Sequence, residues 1–458
     1  MLKLCRDVLR AGVAAAAGLV LAATGASYAH AADGATPALI ERGKNLAVAG
    51  DCIACHSAAG RPEYTGGLAI ASPLGTIYST NITPSVKAGI GTYTLEQFGR
   101  AVRTGVRADG SHLYPAMPYT AYAKLTDDDT AALYAYFMHG VAANDTPAPV
   151  TKLPFPFNIR LSMAVWNALY LDDQPYVADK SKSVEWNRGA YLAQGLAHCA
   201  TCHTPRNFLM AEDAAQYLRG GSLGTWYAPD ISPGALSDGG WDQAALQAYL
   251  ATGHAPNGAT AGGPMLEAID KSFSKMDAQD IKAISVYLTD LPGTARKAAT
   301  PANVPVLPSS DIAEMAGKIG AGERLYRNNC AACHQVDGDG VRGLPALRNH
   351  PSLRHPNADN VGMAVLEGVW PEHRQGMPGF EDELTDREVA ELTNYVMATF
   401  GGSRVTIDEQ RVRTLRAGGE TSSLLLLARA GMALGVLVVL AALLLWWRRR
   451  RRSGPSSI

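Results

Sequence analysis

The sequence predicts an all-α protein: three small helical domains in series, followed by one membrane-spanning helix. Three observations carry that expectation. The spacing C-x-x-C-H occurs three times, starting at Cys52, Cys199 and Cys330. A glycine-bearing helical stretch precedes each motif, and a helical stretch with a capping signature follows each. Near the C-terminus, residues 424–447 are apolar apart from Arg429.

The chain has 458 residues, 47% hydrophobic and 18% charged, so it is globular and too long for one ordinary core. Lys3, Arg6 and Arg10, the short apolar run "AGVAAAAGLVLAA" and Ala29-His30-Ala31 read as a signal peptide over 1–31. The first domain is expected over 32–150 and is followed by a proline-rich linker over 151–183. Within that linker Ile159, Met163, Trp166 and Tyr170 have helical spacing, which predicts core packing between domains in preference to a partner-docking role. The second domain is expected over 184–295, a linker over 296–311, the third domain over 312–402 and a stalk over 403–423. The run 424–447 is long enough to cross the roughly 30 Å hydrocarbon core, with Arg429 near one end, where it can snorkel. Trp446 and Trp447 mark an interface, and Arg448 to Arg452 hold the 448–458 tail on the cytoplasmic side. The body is therefore expected on the periplasmic face of the inner membrane.

Charge agrees with that division. The chain is formally −1; its first 31 residues hold +2 and the six arginines in and after the span hold +6, leaving −9 on the body. An acidic body argues against nucleic acid as a partner.

The motifs "DCIACHS", "HCATCHT" and "NCAACHQ" use six of the seven cysteines, and Cys5 lies in the signal peptide. Zinc, thiol exchange and haem attachment are the three chemistries open to them. Structural zinc wants four ligands arranged as a tetrahedron, and three adjacent residues do not close one. A dithiol exchanger has no need of a histidine each time. Covalent haem c uses every residue: two thiols add across the vinyl groups and the adjacent imidazole binds iron. Three haems c follow, on Cys52 and Cys55, Cys199 and Cys202, and Cys330 and Cys333, with His56, His203 and His334 as axial ligands. The domains are then class I-like cytochrome c domains.

The opposite axial ligand is read from frame. Met117-Pro118 precedes the cap Thr126-x-x-Asp129 and a helix with Leu133, Tyr136 and Phe137 on its apolar face; Met377-Pro378 precedes Thr385-x-x-Glu388 in the same order. In the second domain Met276 directly precedes the cap Asp277-x-x-Asp280, as Leu125 and Leu384 precede theirs, so it fills an apolar slot and Met265 is the ligand. His198 and His254 are the competing ligands there. "LGTIYSTNITP" at 74–84 repeats as "LGTWYAPDISP" at 223–233, and the third domain lacks this insert. Pro345, in "GLPAL", offers a backbone carbonyl that could orient His334, or a plain turn.

The stretches "GDCIACHS", "STNITP", "LYPAMPY", "DDDTAALYAYFMHGV", "EWNRGAYLAQGLAHCATCHTPR", "GPM" and "LTNYV" cover almost the whole mature chain. On these residues the sequence resembles the three-haem cytochrome c subunits of membrane-bound bacterial dehydrogenases, which accompany flavin-dependent glucose, gluconate, sorbitol or fructose dehydrogenases and quinoprotein alcohol dehydrogenase. The resemblance implies a partner dehydrogenase, a flavoprotein in preference to a quinoprotein, and delivery of its electrons to ubiquinone in the membrane. No nucleophile, acid–base pair or nucleotide loop is visible, so no catalytic residue is assigned, and the chain is not expected to oxidise a substrate alone. Two other classes stay open on the residues: a cytochrome subunit of a terminal oxidase, and a haem peroxidase-type enzyme if Met265 is not a ligand.

Overall fold

The computed structural model describes residues 35–291, 320–341, 344–420 and 423–452. The expected signal peptide and the 296–311 linker lie outside these residues, as does the start of the third domain at 312–319.

One packing event recurs three times. The helix Pro37–Ala49, capped by Thr36 with Pro37 in its first turn, crosses the helix Asp127–Ala135. Val184–Gln194, capped by Ser183, crosses Ala278–Thr289. A helix over 320–329 crosses Asp386–Gly401. Each crossing is tightest at a glycine. A Cβ at Gly43 would lie 1.9 Å from the Ala132 carbonyl oxygen, one at Gly189 1.9 Å from that of Ala283, and one at Gly322 2.4 Å from that of Glu391. Beside each contact lies a tyrosine Cβ, of Tyr136, Tyr287 or Tyr395, at 2.7, 2.9 and 2.8 Å from the same positions. Only a residue without a side chain lets the two backbones come so close.

The caps expected before the second helix of each pair are present. Thr126 Oγ1 accepts from Asp129 N at 3.2 Å and Asp277 Oδ1 from Gln279 N at 2.7 Å. Thr385 and Glu388 form a reciprocal capping box, with the Thr385 amide donating to Glu388 Oε2 at 2.9 Å. In the first two pairs the capped helix also carries the acceptor for an arginine that precedes the crossing glycine. Arg42 donates to Asp129 Oδ1 from Nε at 3.0 Å and Nη2 at 2.5 Å, and Arg188 forks Asp280 with two 2.7 Å bonds.

The first two helix pairs share one continuous core, whereas the third has its own. Asp129, 4% exposed, also accepts at 2.5 Å from Tyr191 Oη of the second pair. The third unit is fastened to the second by polar contacts. Asn360 accepts from the Tyr227 amide at 2.7 Å and donates to the Tyr227 carbonyl at 2.8 Å, and Lys271 pairs with Glu372.

Three elements differ from expectation. The chain is largely helical but not wholly so: the two repeated inserts carry antiparallel hairpins, Ala69–Ser72 with Gly75–Tyr78 and Gly221–Ser222 with Tyr227–Ala228. Their Gly, Ser, Thr and β-branched composition suits a tight turn, with Ser72 paired directly to Gly75, and offers no helical period. The stretch expected as a stalk folds back instead. Its helix Glu409–Arg416 buries Val412 and Leu415, and Arg411 forks Asp359 at 3.1 and 2.8 Å. The 159–170 segment does form a helix, Ser162–Tyr170, but none of its residues is buried, so it is not the expected core between domains. Its spacing gives one anchored face and one apolar face turned outward.

At the C-terminus Leu424–Arg449 is long and apolar enough to cross a membrane, with mean hydropathy 2.4 over its most apolar window.

Two stability measurements follow. Gly322→Ala should destabilise the third unit by about 1–3 kcal/mol through overpacking, while Gly320→Ala, with none of the described residues near its Cβ position, should not destabilise it in chemical denaturation. Tyr191→Phe removes a donor from a buried carboxylate and should cost about 1–3 kcal/mol, read as earlier unfolding of the shared core of the first two units.

Candidate functional site

Each C-x-x-C-H lies on a short helix just beyond the first helix of a crossing pair: Cys52–His56, Cys199–His203, and Ala331–His334 with Cys330 as its cap. In the first two, the preceding helix stops at Gly50 or Gly195, and the residue before the first cysteine turns left-handed, Asp51 at φ 50° and His198 at φ 36°. In the third, helix 320–329 runs almost directly into the motif, and the left-handed residue is Gln335, after it, at φ 62°.

All three histidines are oriented in the same way. Nδ1 lies 2.6 Å from the Thr80 carbonyl in His56, 2.7 Å from that of Pro229 in His203, and 3.0 Å from that of Pro345 in His334. A carbonyl can only accept, so each Nδ1 carries the proton and each Nε2 keeps its lone pair for coordination. Burial pushes all three imidazoles below their ordinary pKa, which favours the neutral form that binds metal. Thr80 and Pro229 hold the same place in the repeat "STNITP" and "APDISP", directly after the hairpins. The hairpin insert thus delivers the acceptor in the first two units, and a short loop at Pro345 delivers it in the third. Sequence reading anticipated the Pro345 carbonyl and missed the other two, although the repeat held the signal.

A cavity of about 1080 Å³ is shared by the second and third motifs. It is lined by Cys199, Cys202 and His203, by Cys330, Cys333 and His334, and by both Met265 and Met377. Its walls are mostly apolar, Tyr249, Leu250, Phe273 and Leu353 among them. Met276 packs against the core and is absent from that lining. Met117 and Cys52 pack, half-buried, against the core of the first unit. A shared frame relates Met117 to Met265. A left-handed glycine ends a helix at Gly105 and Gly253, isolated bridges pair Val106 with His112 and His254 with Thr260, and each methionine lies five residues past its bridge. In the third unit Met377 is itself the bridge partner, of Val369.

The thiols are unpaired. Burial pushes Cys52, Cys55 and Cys199 up to about 12 and Cys330 to about 11, far from the thiolate that an exchange reaction needs. Among the described residues no group of three or more His, Cys, Asp or Glu could hold a bare metal ion, so zinc lacks its ligand set. In the second and third units two vinyl-reactive thiols, an imidazole with its second nitrogen blocked and a thioether facing the same apolar space fit haem c, and the first unit repeats the thiols and the held imidazole.

Five further titratable groups approach these sites: His198 and His254, weighed as ligands from the sequence, and Asp51, His350 and His355, which have no sequence signal of their own. Asp51 lines the cavity with Oδ1 buried and unpartnered, and burial, with Glu267 nearby, pushes it to about 8. His198, its counterpart in the second unit, lies 5.9 Å from the Tyr122 ring and is pushed down to about 4 by burial. His350 and His355 line the shared cavity, and burial holds both near 4. His254 lines the cavity as well, with its backbone in the bridge to Thr260.

The cytochrome c family model matches residues 40–140 and 319–400. The chain is 43% identical over 419 residues to the fructose dehydrogenase cytochrome subunit of Gluconobacter japonicus, covering 86% of each chain. It is 37% identical to the gluconate 2-dehydrogenase cytochrome c subunit of Pantoea cypripedii, over 85% of this chain and 92% of that one. It is 36% identical to the cytochrome c subunit of the quinone-dependent alcohol dehydrogenase of Gluconobacter oxydans, over 92% and 91%. With its repeated attachment motifs and carbonyl-held histidines, the chain belongs to the family of cytochrome c subunits of dehydrogenase complexes, electron-transfer proteins that bind haem c covalently.

Proposed function

We propose that this chain is a tri-haem, membrane-anchored cytochrome that carries electrons from a dehydrogenase acting on a sugar, sugar acid or alcohol to ubiquinone. The observation that carries the reading is the triple repeat of one arrangement: a glycine crossing, a C-x-x-C-H helix beyond it, and a histidine held by a backbone carbonyl. Three cytochrome c domains follow, over 32–150, 184–295 and 312–402. Cys52 and Cys55, Cys199 and Cys202, and Cys330 and Cys333 would hold the haems. His56 with Met117, His203 with Met265, and His334 with Met377 would be the axial pairs. Bound haem iron supplies one-electron transfer, its potential set by the axial ligands and the surrounding polarity.

The chain's own residues fix and shield these positions. Thr80, Pro229 and Pro345 hold the imidazole planes, and mostly apolar walls surround the second and third sites. The shared cavity supports direct electron exchange between those two sites, because both motifs line it. The apolar run before five arginines supports a single C-terminal span with the globular body in the periplasm. Greater identity to the fructose dehydrogenase subunit than to the alcohol dehydrogenase subunit favours a flavoprotein partner.

Co-purification through a tag after Ile458, followed by haem-reduction assays with glucose, gluconate, sorbitol, fructose and ethanol, tests the partner. A dehydrogenase companion and reduction by one of these substrates are expected; oxidase subunits in its place, or turnover by the isolated chain, would overturn the reading. Ligation is tested separately. Met265→His should lower one midpoint potential by on the order of 0.1 V, within the roughly 0.8 V that axial ligands span, whereas Met276→Leu should move none in a spectroelectrochemical titration.

A further inference from the structure

We propose that the outward face of the Ser162–Tyr170 helix lies in the outer boundary of the lipid bilayer, as a second membrane contact besides the C-terminal span. The proposal rests on the reading of Leu424–Arg449 as that span. Leu161, Val165 and Leu169 are four residues apart and therefore share one helix face. They are 72%, 65% and 64% exposed. From residue 161 to 171 there is no charged side chain. Phe155 and Phe208, in flanking loops, are also exposed, at 52% and 75%.

The opposite face is firmly held, so the apolar face cannot turn inward. Trp166 Nε1 donates to the Leu209 carbonyl at 3.0 Å. Asn167 Nδ2 donates to the Thr104 carbonyl at 3.0 Å, and its Oδ1 accepts from Tyr119 Oη at 2.8 Å. Arg160, which precedes the apolar stretch, is drawn back over the Tyr114 ring at 4.5 Å.

The span itself indicates what covers this face. Arg429 Nε donates to the Phe155 carbonyl at 3.2 Å, tying the start of the span to the start of the patch. After Arg429 the chain is uninterruptedly apolar from 430 to 447, about 27 Å at the helical rise, which matches the roughly 30 Å hydrocarbon core. Arg429 therefore stands at the edge of that core, and Phe155 stands at the same level. A second contact agrees: Gly419, five residues before Leu424, lies against Gly224 in the turn of the second hairpin. The body thus touches the chain at the start of the span at two places, and an uncharged helix with its apolar face outward at that level fits acyl chains and headgroup carbons.

The test uses the full chain in its native membranes, with the photoreactive residue p-benzoylphenylalanine placed at Val165, at Val438 inside the span, or at Val177. Val177 is 84% exposed in a stretch that also carries Asp172, Asp173, Asp179 and Lys180, which hydrocarbon would exclude. The haem spectrum of each variant checks folding, and Leu169 replaces Val165 if that variant lacks haem. Mass spectrometry after illumination should find phospholipid adducts at Val165 comparable to those at Val438 and about tenfold above those at Val177. Adducts at Val165 on a dehydrogenase chain or a second copy, or lipid adducts only at the Val177 level, with Val438 still labelling lipid, would overturn the proposal and leave the span intact. Absence of lipid adducts at Val438 would remove the span reading, and this proposal with it.

Discussion

The absence of a Cβ at Gly43, Gly189 and Gly322 is the constraint on which the rest of the molecule depends. At these points two helices touch backbone to backbone, and the contact fixes both their separation and where the first helix ends. The attachment motif begins within a few residues of that end in every unit. Helix geometry is stiff over such a distance, so placing the crossing also places the cysteines. The arginine before the glycine reinforces the first two crossings by gripping the third residue of the partner helix, Asp129 or Asp280. The third unit has no such arginine and relies on its capping box and on a tyrosine–phenylalanine cluster, in which Tyr326 lies 4.9 Å from Phe400.

A second constraint acts on the histidines. A free imidazole could rotate or change tautomer; a carbonyl at Nδ1 prevents both, at the cost of bringing a distant loop to the motif. The first two units bring it with a hairpin and the third with a proline-bearing turn. Different local structures have settled on one hydrogen bond, which shows that the bond and not the loop is the conserved requirement within this chain. The shorter route in the third unit leaves its face open to the second, and the Asn360 clamp on Tyr227 closes the two around a common cavity.

Much of this was legible in the sequence because it depends on local spacing. The motifs, the caps at Thr126, Asp277 and Thr385, the apolar C-terminal run and the glycine before each motif are all short-range signals. Met265 could be separated from Met276 by counting from a cap, and the structure lines the cavity with the former alone of the two. What escaped depends on contacts between residues far apart. Nothing near Asn360 announces a partner 133 residues away, and His350 and His355 acquire their burial only when the third unit meets the second. The supposed stalk failed for the same reason: its charged sequence hides Val412 and Leu415, two apolar residues that matter only once a groove exists to receive them. The hairpins were visible as a repeat but not as strands, since strands of two to four residues are too short to show an alternation.

The partial burial of the cysteine side chains also sets their reactivity. In the finished fold the Cys52 and Cys199 thiols are half-buried, in surroundings that favour the protonated form over the nucleophilic thiolate. The same apolar surroundings that disfavour the thiolate suit a large apolar group held between the crossing helices and the loop that carries the histidine's carbonyl partner. Because each motif lies within a few residues of its own glycine crossing, every unit carries its thiols and its histidine on one local stretch of chain, independent of the apolar C-terminal helix.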